Sequence, residues 1–245
     1  MTPIRMGDGT GLSPKGMAEV RKADGTVLWS ADTIPDSGLV HHYDASELDV
    51  SDGGSVTAWP DLAGDADLSG SGTYRESSPL NSQPAVELDG TDDNFSVTGV
   101  DSSPPYHLFY VVEETAGDDN PRIITNEELG MQHRMGDPNR NGNDQFFHGE
   151  FVDLGNDYTN EASLFGTLHT ASETVVRRNG SQIASASDTH SSTRDGTEFY
   201  WGSNPGGTAA LQGYIAELLW YDEEKTGDEL ADIEEYLANK YGFAT

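Results

Sequence analysis

Between Gly213 and Tyr221 almost every side chain is apolar. Tyr214, Ala216, Leu218 and Trp220 take alternate positions, and Ile215, Leu219 and Tyr221 fill those between. Alternation predicts a strand, and apolar residues on both faces predict one that is covered on both sides. The period then changes. Leu230, Ile233, Leu237 and Tyr241 recur at helical spacing, with Thr226 and Glu229 placed as a capping box and Lys240 and Gly242 at the exit. Asp232, Glu234 and Glu235 fall off that stripe and are expected to face water.

Upstream, Tyr106 to Val112 is a continuous apolar run and reads as a central strand. Val86 and Leu88, then Phe95 and Val97, flank the Asp89-Gly90 turn. Further strands are expected at Ile123-Ile124, Gln145 to Val152 and Ser163 to Leu168, and a hairpin of Glu173 to Arg178 with Gln182 to Ala186 about Asn179-Gly180. About a dozen short strands with one late helix predict an all-β fold, a two-sheet antiparallel sandwich. Residues 1–37 stand apart. Val20 and Lys22 precede Asp24-Gly25-Thr26, and Val27 and Trp29 follow it, a small hairpin; Ser30 to Gly38, with Pro35, reads as a linker. The expected division is an N-terminal β arm and linker over 1–37 and one large domain over 38–245.

Charge narrows the setting. Against 43 acidic residues stand 13 basic ones, for a formal net charge of -30, and the acid is spread along the whole chain. Four Trp, ten Tyr and eight Phe supply a core, so this is a folded chain and not a solvated polyanion. Such a surface is relieved of self-repulsion in concentrated salt, where the Debye length is only about 3 Å at 1 M, and points to a salt-loving host. It carries no basic stripe able to displace counterions, which excludes nucleic acid as a partner. There is no cysteine, hence no disulfide. No stretch approaches the ~20 apolar residues of a membrane span, and no apolar leader follows Met1, so neither membrane insertion nor signal-directed export is expected.

Several motifs resemble laminin G-like, concanavalin A-like jelly-roll domains. Gly213-Tyr-Ile-Ala-Glu217, the Tyr221-Asp222 that follows, the helix and the closing Tyr236-Leu-Ala-Asn-Lys-Tyr-Gly242 are similar to the end of those domains. Leu39-Val-His-His-Tyr-Asp-Ala-Ser46 resembles their opening strand. Trp59-Pro-Asp-Leu-Ala-Gly64 resembles their Trp-x-Asp-x-Ser-Gly turn, with Ala63 where Ser is usual. Pro84-Ala-Val-Glu-Leu-Asp-Gly90 and the Val176-Arg-Arg-Asn-Gly180 hairpin complete the set, which covers residues 38–245. The arm resembles leading segments of tailed-virus tail and fibre proteins. The family resemblance implies the jelly-roll fold; it includes lectins, adhesion modules and hydrolases and so leaves the function open.

Candidate chemistry is sparse. Asp137-Pro-Asn-Arg-Asn-Gly-Asn-Asp144 sets oxygen donors at Asp137, Asn139 and Asn141, with Asp144 after them, like the opening of a calcium loop, though His148 stands where a bidentate Glu belongs. The alternative is an Asn-rich turn between strands. A structural Ca2+ is the one cofactor these residues raise. His41 and His42 are adjacent on a strand, point to opposite faces and do not share one ion. A sugar site would combine rings with Asp, Asn and backbone groups; Asn143, His148 and Tyr158 are the candidates, against the alternative that the rings are core. A glycoside hydrolase would use paired carboxylates. Glu47-Leu-Asp49 and Glu87-Leu-Asp89 begin the Glu-x-Asp-x-Glu pattern of jelly-roll hydrolases, with Ser51 and Thr91 at the third place.

These features fit a virion structural protein of a haloarchaeal tailed virus, of spike, turret or tail-fibre type, and not an enzyme. Residues 1–37 would dock to other virion proteins. The lectin-like domain, as a homo-oligomer, would meet host surface glycans or S-layer glycoprotein. The alternatives are a haloarchaeal cell-surface adhesion module and a glycoside hydrolase.

Overall fold

The computed structural model describes residues 4–5, 11–12, 19–21, 27–30, 34–117, 120–127, 130–136, 142–148, 150–187 and 197–244. Strands β1 (Ile4–Arg5) and β2 (Gly11–Leu12) pair with each other, as do β3 (Glu19–Arg21) and β4 (Val27–Ser30). These two small sheets are separate from the large one, and the Val20↔Trp29 pairing is the hairpin expected about Asp24-Gly25-Thr26.

The body is mostly β with one C-terminal helix, α1 (Gly227–Tyr241). Its strands are β5 (Leu39–Asp44), β6 (Ser55–Trp59), β7 (Leu68–Arg75), β8 (Ala85–Asp89), β9 (Asn94–Thr98), β10 (Tyr106–Gly117), β11 (Arg122–Asn126), β12 (Met131–Arg134), β13 (Gln145–His148), β14 (Glu150–Asp153), β15 (Ser163–His169), β16 (Glu173–Arg178), β17 (Ser181–Ser187), β18 (Glu198–Trp201) and β19 (Leu211–Tyr221). All fifteen join in one antiparallel sheet, ordered β14-β13-β12-β11-β18-β9-β7-β8-β19-β10-β15-β16-β17, with β5 added to β19 and β6 to β7. The sheet is nearly barrel-shaped, where two separate sheets were expected. The physical reason is β7. Ser69–Ser71 pair with β9 while Thr73–Arg75 pair with β8, so a single strand carries the ladder from one half of the sheet to the other. Gly70 permits the close approach: a Cβ there would lie 1.9 Å from the Asn94 carbonyl oxygen.

The two halves face each other across the main core. Phe199 meets Trp220 edge-on at 4.8 Å between ring centroids, and Phe146 meets His169 at 5.1 Å. A second cluster lies under α1, where Phe109, Val111, Leu164, Leu219 and Tyr221 receive Ile233, Leu237 and Tyr241. Burying each of those helix side chains contributes roughly 1.5–3 kcal/mol.

The strand β19 departs from simple alternation. Val111 pairs with Glu217 but Val112 pairs with Ile215, so Ala216 is the extra residue of a bulge. Ile215, Leu218 and Trp220 therefore face the main core, whereas Ala216, Leu219 and Tyr221 face the helix. The expected grouping of Ala216 with Leu218 and Trp220 is corrected by that one residue.

Two helix expectations are also corrected. Thr226 is the extended N-cap residue but makes no side-chain cap hydrogen bond, so the capping box does not form. The first turn instead carries Asp228 and Glu229 against the positive end of the helix dipole. Glu234 is not in water: it is buried against Arg177, which donates from Nε at 2.6 Å. The exit is as expected, with Gly242 at φ 76° and its N–H on the Ala238 carbonyl.

Candidate functional site

Helix α1 covers one outer face of the curled sheet. The opposite outer face, over β7, β9, β18 and β11–β14, has no helix on it among the described residues. Because Trp201, Phe199, Phe95 and Val97 point into the core, their strand neighbours Tyr200, Ser96 and Asn94 point out. Register then builds one row of outward residues across seven strands: Phe151, Phe147, Gln132, Thr125, Tyr200, Ser96 and Ser69.

The row has a covered part and an open part. On β12–β14 the Phe147 and Phe151 rings lie 4.6 Å apart, and the Arg134 guanidinium sits 4.5 Å above Phe151. Arg134 Nη2 donates to Gln132 Oε1 at 2.9 Å. In the next row the buried Gln145 side chain keeps an Oε1 with no hydrogen-bond partner. On β18, β9 and β7 the face opens, with Tyr200 and Ser96 half-buried and Ser69 exposed. Burial, then the hydrogen bond and charge of Glu198, raise the Tyr200 pKa, which keeps its hydroxyl a neutral donor and acceptor. A ring flanked by hydroxyls on a flat face is the combination with which proteins hold sugars.

The glycine-rich turn after β18 borders this open part. Gly202, Gly206 and Gly207 all have positive φ, and a Cβ on Gly207 would lie 3.9 Å from Asn94 Nδ2. Asn204, within that turn, has a buried Oδ1 with no hydrogen-bond partner. The sequence signal for this site is the outward parity of Tyr200 between two core aromatics, Phe199 and Trp201.

The candidates raised from sequence are dispersed. Asp137, Asn139 and Asn141 lie outside the described residues. Asp144 is fully buried, and its carboxylate accepts the N–H of Gly136 at 2.9 Å and of Tyr158 at 3.3 Å. Burial pushes its pKa up to about 7 against those bonds. Asn143 donates to Asp153 Oδ1 at 2.9 Å. His148 faces inward, 4.3 Å from the His169 ring, because its neighbour Phe147 takes the outer face. Tyr158 is buried under Arg178, whose guanidinium lies 4.0 Å from its ring. Among the described residues both rings are buried. Of the carboxylates in the hydrolase-like pattern, Glu87 is paired with Arg75 at 2.6 Å and Asp89 accepts the Thr91 N–H at 2.8 Å.

Two polar knots hold residues of the motifs at 39–46, 59–64 and 213–242. Asp61, of the Trp59–Gly64 turn, accepts from His41 Nδ1 at 2.7 Å and from the N–H groups of His42, Ala63 and Ala66. Burial works against its charge, but these donors win and hold its pKa down at about 2. Glu217 is fully buried and holds His42 Nε2, the hydroxyls of Tyr236 and Tyr241, and Lys240 Nζ at 2.7 Å. His42, Asp44 and Glu217 stand close enough to share a cation, and the Lys240 ammonium is that cation. Among the described residues no helix is long and apolar enough to cross a membrane.

No family model and no curated protein sequence matches the chain. Solved structures do. Trypanosoma rangeli sialidase in complex with sialic acid aligns with a TM-score of 0.64 at 12% identity, over 91% of this chain and 36% of that one. Domain 4 of AbnA, a GH43 extracellular arabinanase from Geobacillus stearothermophilus, in complex with arabinotriose, aligns at 0.58 and 16% identity, over 82% of this chain and 100% of that domain. The receptor binding domain of botulinum neurotoxin C/D mosaic serotype aligns at 0.59 and 12% identity, over 84% of this chain and 52% of that one. This chain thus spans about a third of the sialidase and the whole of the arabinanase domain. The likeness is one of fold. It corrects the expectation that the chain is not an enzyme, since sialidases and an arabinanase domain share its fold. No virion protein is among these three.

Proposed function

We propose that residues 38–245 form a glycan-binding module, its curled sheet serving as a laminin G-like jelly roll and its helix-free face as the ligand surface. The observation that carries this is the open Tyr200–Ser96–Ser69 row on the sheet face that α1 leaves bare. Support comes from the arabinanase domain, solved with arabinotriose and matched over its full length. The ligand is an extended, hydroxyl-rich saccharide that stacks on Tyr200 and hydrogen-bonds to its flanking side chains. The test is a glycan array at molar salt followed by calorimetry on the best ligand. Tyr200→Ala should weaken binding at least tenfold, the loss of about 1.4 kcal/mol or more that an aromatic contact supplies, while Tyr200→Phe should retain most of it. An array without binders, or a Tyr200→Ala chain that binds unchanged, refutes the assignment.

A second reading concerns residues 1–37. Their two small sheets are separate from the large one, which favours an arm that docks to a larger assembly, on a virion of a salt-loving host as the sequence features imply. A chain beginning at Ile34, which keeps the Pro35 and Ser37 carbonyls that Tyr221 and Lys225 hold, should bind glycan normally and fail to enter particles; normal incorporation refutes the arm.

A further inference from the structure

Glu114, near the end of β10, and Asp157, in the 154–162 connector, meet at one hydroxyl. Thr159 Oγ1 lies 2.8 Å from Glu114 Oε2 and 2.6 Å from Asp157 Oδ1. A threonine hydroxyl has one hydrogen, so both contacts are full hydrogen bonds only if it donates to one of these oxygens and accepts from the other. Two ionised carboxylates have no hydrogen to give. That arrangement makes one of the pair a carboxylic acid, and burial selects which: Glu114 is 2% exposed, whereas Asp157 is exposed.

We propose that Glu114 holds a proton that it donates to Thr159, that the Thr159 hydrogen passes on to Asp157, and that this relay is a pH-sensitive clasp fastening the 154–162 connector to β10. The backbone takes part, since the Asn160 N–H donates to the Glu114 carbonyl at 2.6 Å. The charges nearby do not relieve the acid. Asp157 is an exposed carboxyl, and Asp144, from the turn before β13, is a buried one whose own pKa burial raises to about 7; neither supplies a positive charge, and both act on the same connector. Arg178, from β16, is turned to the Tyr158 ring and pairs with Glu161 at 2.6 Å. Across the ladder Glu114 faces Gly213, which has no side chain.

Burial first, and with it the Asp157 charge, raise the Glu114 pKa from 4.5 to about 7. The sign follows. A carboxyl group whose folded pKa is raised favours the closed form fully below about pH 4.5. That advantage shrinks as the open form ionises, and it is gone once the pH passes about 7. The gap corresponds to roughly two to three powers of ten in the closing equilibrium of the connector.

Hydrogen exchange of the full chain in molar salt, corrected for intrinsic rate, tests this. Between pH 5 and pH 8.5, amides of 154–162 should lose on the order of 100-fold protection, while those of β15 keep theirs. Glu114→Gln retains a donor for Thr159 and cannot ionise, so its connector should stay closed at both pH values. An equal pH dependence in that variant overturns the proposal and moves the effect to Asp144. Carbon-detected NMR of the unsubstituted chain reads the acid directly: one glutamate should titrate near neutrality. If every glutamate titrates below about pH 5, the clasp does not exist, whatever the variant does.

Discussion

Removing the Lys240 ammonium is the sharpest test of how the helix is fixed to the sheet. Its Nζ donates to Asp44 Oδ2 and, at 2.7 Å, to Glu217 Oε2. Burial alone would lower its pKa, but Glu217 and Asp44 outweigh burial and raise it, so it is charged wherever the chain is folded. Lys240→Met keeps the stem and deletes the charge. Asp44 and the fully buried Glu217 are then left facing each other in low dielectric. Breaking a buried pair from one side costs about 3–5 kcal/mol. The 18% exposure of the Lys240 side chain argues for the lower end, about 3 kcal/mol. For a chain of this size that is a fall in melting temperature of roughly 6–12 °C. The half-exposed Arg75–Glu87 pair should, by contrast, contribute under about 1 kcal/mol. Calorimetric melts at two molar salt concentrations are the assay, because a buried pair is screened little. Adding Glu217→Gln should recover part of the loss, making the double variant more stable than the sum of the singles predicts. A Lys240→Met loss below about 1 kcal/mol, or strict additivity, refutes the reasoning.

Three further outcomes can be measured. Gly70→Ala would drive a Cβ to 1.9 Å from the Asn94 oxygen and 2.7 Å from Phe95 Cα, both backbone atoms. Denaturant unfolding should show a loss of about 3 kcal/mol or more, whereas Gly155→Ala, at φ 79° in open space, should cost about 1 kcal/mol. Asp61 has a depressed folded pKa of about 2 against 3.8, so its contribution is complete above about pH 4 and is lost as the pH falls through 2. That amounts to about 2 kcal/mol, and acid melts of Asp61→Asn should lack this step. With a net charge of -30 the melting temperature should rise from millimolar to molar salt; a flat response would remove the salt-loving reading.

The strands were legible because apolar alternation and Asp-Gly or Asn-Gly turns are local signals. Asn179 and Gly180, at φ 47° and 78°, form the hairpin turn their identities announce. The joining of strands was not legible. Nothing in Leu68–Arg75 states that one end pairs with β9 and the other with β8, since pairing is a contact between distant segments. The β19 bulge was hidden for a related reason: with apolar residues on both faces, a one-residue shift leaves the pattern unchanged and shows only in where Glu217 points. Site residues were the hardest. His148 and Tyr158 look like sugar contacts by type, but parity sends His148 inward and Arg178 covers Tyr158. Tyr200 is masked in the sequence by Phe199 and Trp201, the core residues on either side of it.

The linker enters the body at one side. Ile34 packs into the cluster under α1, Tyr221 Oη donates to the Pro35 carbonyl at 3.0 Å, and Lys225 Nζ donates to the Ser37 carbonyl at 2.6 Å. These anchors belong to the helix side of the sheet, and the Tyr200 row lies on the other. The module is therefore mounted back-first. A tug on the linker loads the helix side and leaves the strands beneath Tyr200 out of the line of force.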